Sequence, residues 1–117
     1  MDIKSASTVF AAMAQETRLM AYRLLVRAGP DGLSAGALSE ELGIPHNTLS
    51  FHLSHLSHAG IIRSHKQGRS VIYSANFDAI RELIGFMVKD CCSAEVANIR
   101  EDKKTGCSII ELANCCP

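Results

Sequence analysis

The sequence predicts a mainly α-helical domain carrying one small β-hairpin, on three observations. Apolar residues recur at three-to-four spacing from Ser5 to Lys89, and the recurrence is broken at Gly29-Pro30-Asp31-Gly32, Gly43 and Gly60, as helices separated by turns require. Before the last helical stretch the pattern switches to alternation over Ile62–Lys66 and Ser70–Ala75, with Gly68 between them, the period of two paired strands. Hydrophobic residues make up 47% of the chain but aromatics only 5%, with no tryptophan, so the core is aliphatic.

The elements follow in order. A first helix is expected from Ser5 to about Gln15, with Val9, Phe10 and Met13 as its apolar face. A second runs from Glu16 to Ala28 on Leu19, Tyr22, Leu24, Leu25 and Val26, and the Gly-Pro-Asp-Gly breaker stops it. Ser34 is a plausible N-cap for a third helix to Leu42, with Leu38 and Leu42 inward and Gly43 at the left-handed C-terminal position. Pro45 opens a fourth helix to Ala59, since proline is tolerated in a first helical turn. The two strands come next, and a fifth helix from about Asn76 to Lys89 carries Ile80, Leu83, Ile84, Met87 and Val88 on one stripe. Helices three and four around a short turn, followed by a hairpin, make a winged helix-turn-helix of order α-α-α-α-β-β-α.

At 117 residues there is room for one domain. Residues 1–92 are assigned to it, and 93–117 to a flexible, cysteine-containing tail with at most a short helix. Its charge run Arg100-Glu101-Asp102-Lys103-Lys104 lacks apolar periodicity. No apolar run reaches the roughly 18 residues a membrane span needs, and Met1-Asp2-Ile3-Lys4 is unlike a signal peptide. A cytoplasmic protein is expected, and no membrane partner. All five cysteines, Cys91, Cys92, Cys107, Cys115 and Cys116, fall in the last 27 residues. In a reducing compartment that clustering reads as ligand chemistry rather than a disulfide framework.

Net charge is zero, yet no acidic residue lies between Glu41 and Asp78, a stretch that holds Arg63, Lys66, Arg69 and all five histidines. One face is thus built to meet a polyanion, and a helix-turn-helix with a basic wing points to duplex DNA. If Leu49, Leu53, Leu56 and Ala59 hold the fourth helix to the core, its other side presents His46, Asn47, Thr48, Ser50, Phe51, Ser54 and His58. Asn and Ser hydrogen-bond base edges or phosphates, and an outward Phe51 suits thymine methyls; the alternative places Phe51 under the wing. Lys66 and Arg69 flank the wing turn, placed for phosphate and minor groove. An intrahelical metal site is set aside, because His52 and His58 diverge by about 120° around the helix. His52 is instead expected near the helix junction, with His55 and His58 outward.

Leu49-Ser50-Phe51-His52-Leu53, Leu56, Ala59-Gly60-Ile61-Ile62, Lys66-Gln67-Gly68-Arg69 and Val71-Ile72-Tyr73, with Glu16-Thr17-Arg18-Leu19 upstream, resemble the ArsR/SmtB family of winged-helix repressors over residues 8–92. Many members carry Ser-Gln where this chain has Pro45-His46. The resemblance implies a homodimer joined through the first and fifth helices, sitting on an inverted-repeat operator until a metal or metalloid releases it. Two ligand positions used in the family are empty here: the counterparts of one arsenic site are about Ser34 and Gly36, and no histidine follows His65 for a zinc site. The vicinal pair Cys91-Cys92 is similar to a subgroup of arsenic-responsive repressors that add a third cysteine nearby. Three thiolates suit arsenite, and also antimonite, over hard cations, whereas two suffice for methylarsenite; no permanently bound cofactor is implied.

For the third ligand Cys107 is preferred, with Cys115 or Cys116 open. Cys107 lies fifteen residues beyond Cys92 where the subgroup has about six, an added loop-closure cost of about 0.8 kcal/mol that does not exclude it. Three other readings remain: a thiol redox sensor on the same scaffold, a thiol enzyme using Cys91 or Cys92 as nucleophile, and a winged helix used for protein contacts. No anion loop lies beside a cysteine and no histidine lies in the tail, so a non-enzyme is expected, with no catalytic residue.

Overall fold

The computed structural model describes residues 1–89, together with the backbone of 98–101 and 108–111. Helix α1 (Ile3–Met13) starts at Asp2, whose carboxylate accepts from Ser5 N at 2.7 Å. Helix α2 (Glu16–Ala28) is capped by Gln15 Oε1, which accepts from Arg18 N at 2.8 Å. A single 3₁₀ turn over Gly29–Asp31 leads into a two-residue strand β1 (Leu33–Ser34), absent from the sequence expectation. Helix α3 (Ala35–Leu42) begins at Ser34, whose hydroxyl accepts from Ala37 N, and ends on Gly43 in the left-handed region at φ 65°. Helix α4 (His46–His58) follows, then strands β2 (Ile62–Gln67) and β3 (Ser70–Ala75), then helix α5 (Phe77–Val88) from an Asn76 cap. The winged helix-turn-helix order is therefore the one the periodicities predict.

Strand β3 lies between β1 and β2 in an antiparallel sheet, pairing Leu33 with Tyr73 and Ile62 with Ala75. The extra strand explains Gly32: at φ 70°, its backbone passes so close to the Tyr73 carbonyl that a Cβ would collide with it. A two-residue strand is too short to announce itself by alternation. In the tail, strands β4 (Asn98–Glu101) and β5 (Ser108–Glu111) pair antiparallel, Ile99 opposite Ile110. Strand replaces the short helix allowed there, in keeping with the β-branched residues at Ile99, Ile109 and Ile110.

Leu25, Leu38, Leu49, Leu53, Leu56, Ile61 and Val9 are the largest fully buried side chains. Each such leucine contributes about 1.5–3 kcal/mol on burial. α2 packs against α4, α3 and β3, so it is the central helix of the core. The two flanking helices keep part of their apolar faces uncovered. α1 buries the small residues Ala6, Val9 and Ala12 and turns Phe10 outward at 45% exposure. α5 buries only Leu83, with Phe86 and Ile80 partly covered and Met87 59% exposed. No helix among the described residues is long and apolar enough to cross a membrane.

Tyr22 is buried, and its hydroxyl finds no hydrogen-bond partner among the described residues; burial pushes its phenol above the usual tyrosine range. Tyr22→Phe removes a desolvated group that gains nothing, so chemical denaturation should show unchanged or raised stability. Gly32→Ala should lower unfolding free energy by more than about 1 kcal/mol, because both φ and the Tyr73 carbonyl oppose a Cβ.

Candidate nucleic-acid interface

The geometry of α4 follows from its three leucines. Leu49, Leu53 and Leu56 are buried on one side, a spacing of four and three that keeps them on one helical stripe. The opposite side then exposes His46, Asn47, Thr48, Ser50, Phe51, Ser54, His55 and His58. Phe51 is 62% exposed, which rules out packing under the wing. Its ring stands edge-on to His55 at 4.7 Å and to His52 at 5.9 Å. With Ser54, His55 and His58 it lines a shallow hollow of about 230 Å³ on the outer surface.

The turn before α4 sets the angle at which it is presented. Ser39 Oγ donates to the Ile44 carbonyl, and Ile44 N donates to the Ser39 carbonyl at 3.2 Å. Two bonds from one serine thus brace the Gly43-Ile44-Pro45 link, a role that periodicity could not reveal. Pro45 sits one position outside the expected place: it is the N-cap, extended at ψ 147°, and no side chain caps the helix. The first N–H groups of α4 thus receive no side-chain cap at the positive end of the helix dipole, where a phosphate is favoured.

β2 has one buried residue, Ile62 at its root, and the five that follow are all exposed. β2 is held by its ladder with β3 and by contact with α4, and the tip residues Lys66, Gln67, Gly68 and Arg69 are exposed. The loop is the two residues Gly68-Arg69, with Lys66 inside β2 opposite Val71. Arg63 and Arg81 both reach Asp78, at 3.8 and 3.6 Å; exposed pairs of this kind are worth about 0–1 kcal/mol. Asp78 therefore draws Arg63 toward α5, while Lys66 and Arg69 have no carboxylate partner among the described residues. Asn76 joins wing to helix: its Nδ2 donates to the Gly60 carbonyl at 2.9 Å and its N–H to the Ile61 carbonyl at 2.8 Å.

A helix-turn-helix domain family matches residues 13–65. The chain is 32% identical to the transcriptional repressor SdpR of Bacillus subtilis over 82 residues, covering 70% of this chain and 88% of that protein. It is 29% identical to the nodulation protein NolR of Rhizobium meliloti over 84 residues, 72% of this chain but 66% of NolR. Among solved structures it is similar to an ArsR-like transcriptional regulator from Rhodococcus sp. RHA1, with a TM-score of 0.63 and 27% identity over 72% of this chain and 76% of that one. The chain belongs to the ArsR/SmtB-like superfamily of helix-turn-helix transcriptional regulators.

As a member of that superfamily it is a DNA-binding transcriptional regulator, in a family of non-catalytic DNA-binding proteins. The sequence-predicted residues of this regulator's helix and wing are all exposed, on the outward side of α4 and at the wing tip. Cys91, Cys92 and Cys107, like Cys115 and Cys116, lie outside the described residues. The described residues hold no cluster of three metal-capable side chains. His52 faces Arg18, whose Nη1 lies 3.5 Å from His52 Nδ1, whereas His55 and His58 are exposed. Arg18 was not among the candidate residues, and nothing in its spacing singles it out.

Lys66→Ala should weaken duplex binding about uniformly across sequences and reduce the slope of log affinity against log salt by about one. Fluorescence anisotropy over a series of salt concentrations measures that slope.

Proposed function

We propose that this regulator is a homodimeric repressor, held on an inverted-repeat operator by α4 and the wing and released when trivalent arsenic or antimony binds its C-terminal thiolates. The observation that carries the DNA half is the outward polar face of α4 beside a wing whose Lys66 and Arg69 have no carboxylate partner among the described residues. His46, Asn47 and Thr48 lie where a phosphate would meet the helix start, Ser50, Phe51 and Ser54 where base edges would lie, and Phe51 suits a thymine methyl.

Dimerisation through α1 and α5 is supported by what each leaves uncovered. Ile3 and Phe10 on α1, and Phe77 and Met87 on α5, are large apolar side chains facing solvent in the single chain, and a second copy would cover both helices at once. A two-fold arrangement sets the recognition helices about 34 Å apart, one turn of DNA.

For the inducer, the reading rests on Cys91 and Cys92, three and four residues beyond the end of α5, with Cys107 as third thiolate. Binding there would act on the end of the dimer helix and so on the spacing of the two α4 helices.

The test is anisotropy in reductant, on a duplex selected by the protein from a random library, titrated in parallel with arsenite, methylarsenite and zinc. Arsenite should weaken binding by about tenfold or more, a coupling of about 1.4 kcal/mol, and zinc should not. Cys91→Ser or Cys92→Ser protein released at the wild-type arsenite concentration would refute the assignment. Release by peroxide but not by arsenite would instead make the thiols a redox sensor.

A further inference from the structure

Arg18 lies in the first turn of α2, but its side chain runs back along the end of α1 and across to α4. Its Nε donates to the Ala12 carbonyl at 2.6 Å and its Nη2 to the Ala11 carbonyl at 3.5 Å. Its third arm, Nη1, meets Nδ1 of His52 at 3.5 Å. The last turn of α1 has no basic residue of its own, so the guanidinium also supplies the positive charge that a helix C-terminus favours. One side chain thereby joins three helices.

The chemistry of the contact is one-sided. A guanidinium is always charged and only donates. His52 must therefore offer the Nδ1 lone pair and keep its proton on Nε2. A second proton would turn the acceptor into a donor and set cation against cation. Among the described residues, the titratable or charged groups facing His52 are Arg18 from α2 and His55 within α4. Through the shared guanidinium, α1 contributes the carbonyls of Ala11 and Ala12, and the Phe51 ring adds an uncharged edge contact.

We propose that Arg18 is a positioning residue for the recognition helix: it clamps α4 to the end of α1 through a neutral His52, and protonation of His52 opens the clamp and lowers DNA affinity. The inference rests on α4 being the DNA-reading helix. Since α1 is also the proposed dimer helix, the clamp ties the reading surface to the two-fold axis.

Burial first, then the charge of Arg18, then His55 hold His52 below the usual histidine range. The unfolded chain thus binds the proton more readily than the folded one. The clamp's contribution is complete above about pH 6.5, the unfolded histidine value, and is lost as pH falls through the lower folded value.

The experiment compares duplex affinity of wild type, His52→Gln and Arg18→Gln from about pH 8 down to about pH 5.5, bracketing histidine titration. The exposed His46, His55 and His58 gain charge in every variant alike, so the informative quantity is the wild-type affinity relative to His52→Gln, whose amide keeps an acceptor and does not titrate. That ratio should fall by severalfold at most between the two ends, the low-pH end being the weaker, and Arg18→Gln should bind about tenfold more weakly than wild type at the upper end. A ratio independent of pH, or Arg18→Gln binding as tightly as wild type, overturns the clamp. Imidazole ¹⁵N shifts of the wild-type protein give a readout that needs neither DNA nor a variant: the Nε2–H tautomer of His52 supports the clamp and the Nδ1–H tautomer rejects it. Wild type that binds no duplex at any pH refutes the DNA reading, and the clamp's role with it, before any variant is made.

Discussion

Burial of Leu49, Leu53 and Leu56 against the α2-centred core governs the rest of this structure. Once those three side chains are inside, helix geometry leaves no freedom over which residues of α4 face out. Asn47, Ser50, Phe51 and Ser54 are then displayed on a rigid rod rather than on a loop, and the Ser39 bonds fix the rod's entry angle. Precision in reading a groove comes from this kind of support, since a side chain that wanders loses the geometry of a hydrogen bond.

Charge acts through placement rather than amount. The chain is formally neutral, but its acids are kept out of the segment from α4 through the wing, and Asp78, just beyond it, engages Arg63 and Arg81 at the wing root. What remains at the tip is Lys66 and Arg69 on an arm with little apolar burial. Such an arm contributes little to folding, which leaves its cations free for a polyanion whose affinity is dominated by phosphate contacts. The weakly covered helices α1 and α5 carry a different surface, apolar instead of cationic, so the proposed DNA contact and the proposed self-association use different elements of the same small domain.

Much of this is readable from residue order because most elements carry their own signals. The bounds of α2 and α3 match the caps and breakers closely, since Gly29-Pro30, Ser34 and Gly43 act locally, but Leu19, expected on the apolar face of α2, is exposed and Ala21 is buried instead. The outward face of α4 is equally legible: three leucines at helical spacing define its complement. What escapes the sequence is set by tertiary contact. β1 pairs only with β3 and is too short to show itself alone; Phe10 faces out while Ala6, Val9 and Ala12 take the buried positions of α1; and Pro45 stands just outside α4 because its fixed φ suits an extended cap as well as a first turn. Ser39, Asn76 and Arg18 act over distances or angles that no spacing encodes.

The central claim is that α4 and the wing tip are the surface that meets duplex DNA. Amide chemical-shift mapping of the wild-type protein, titrated with a selected inverted-repeat duplex, tests it most directly. The account predicts the largest shifts at 46–54 and 66–69, with the Leu49, Leu53 and Leu56 side of α4 perturbed only through its backbone. Shifts concentrated elsewhere, on the exposed faces of α2 or α3 for example, with the wing unmoved, would contradict it.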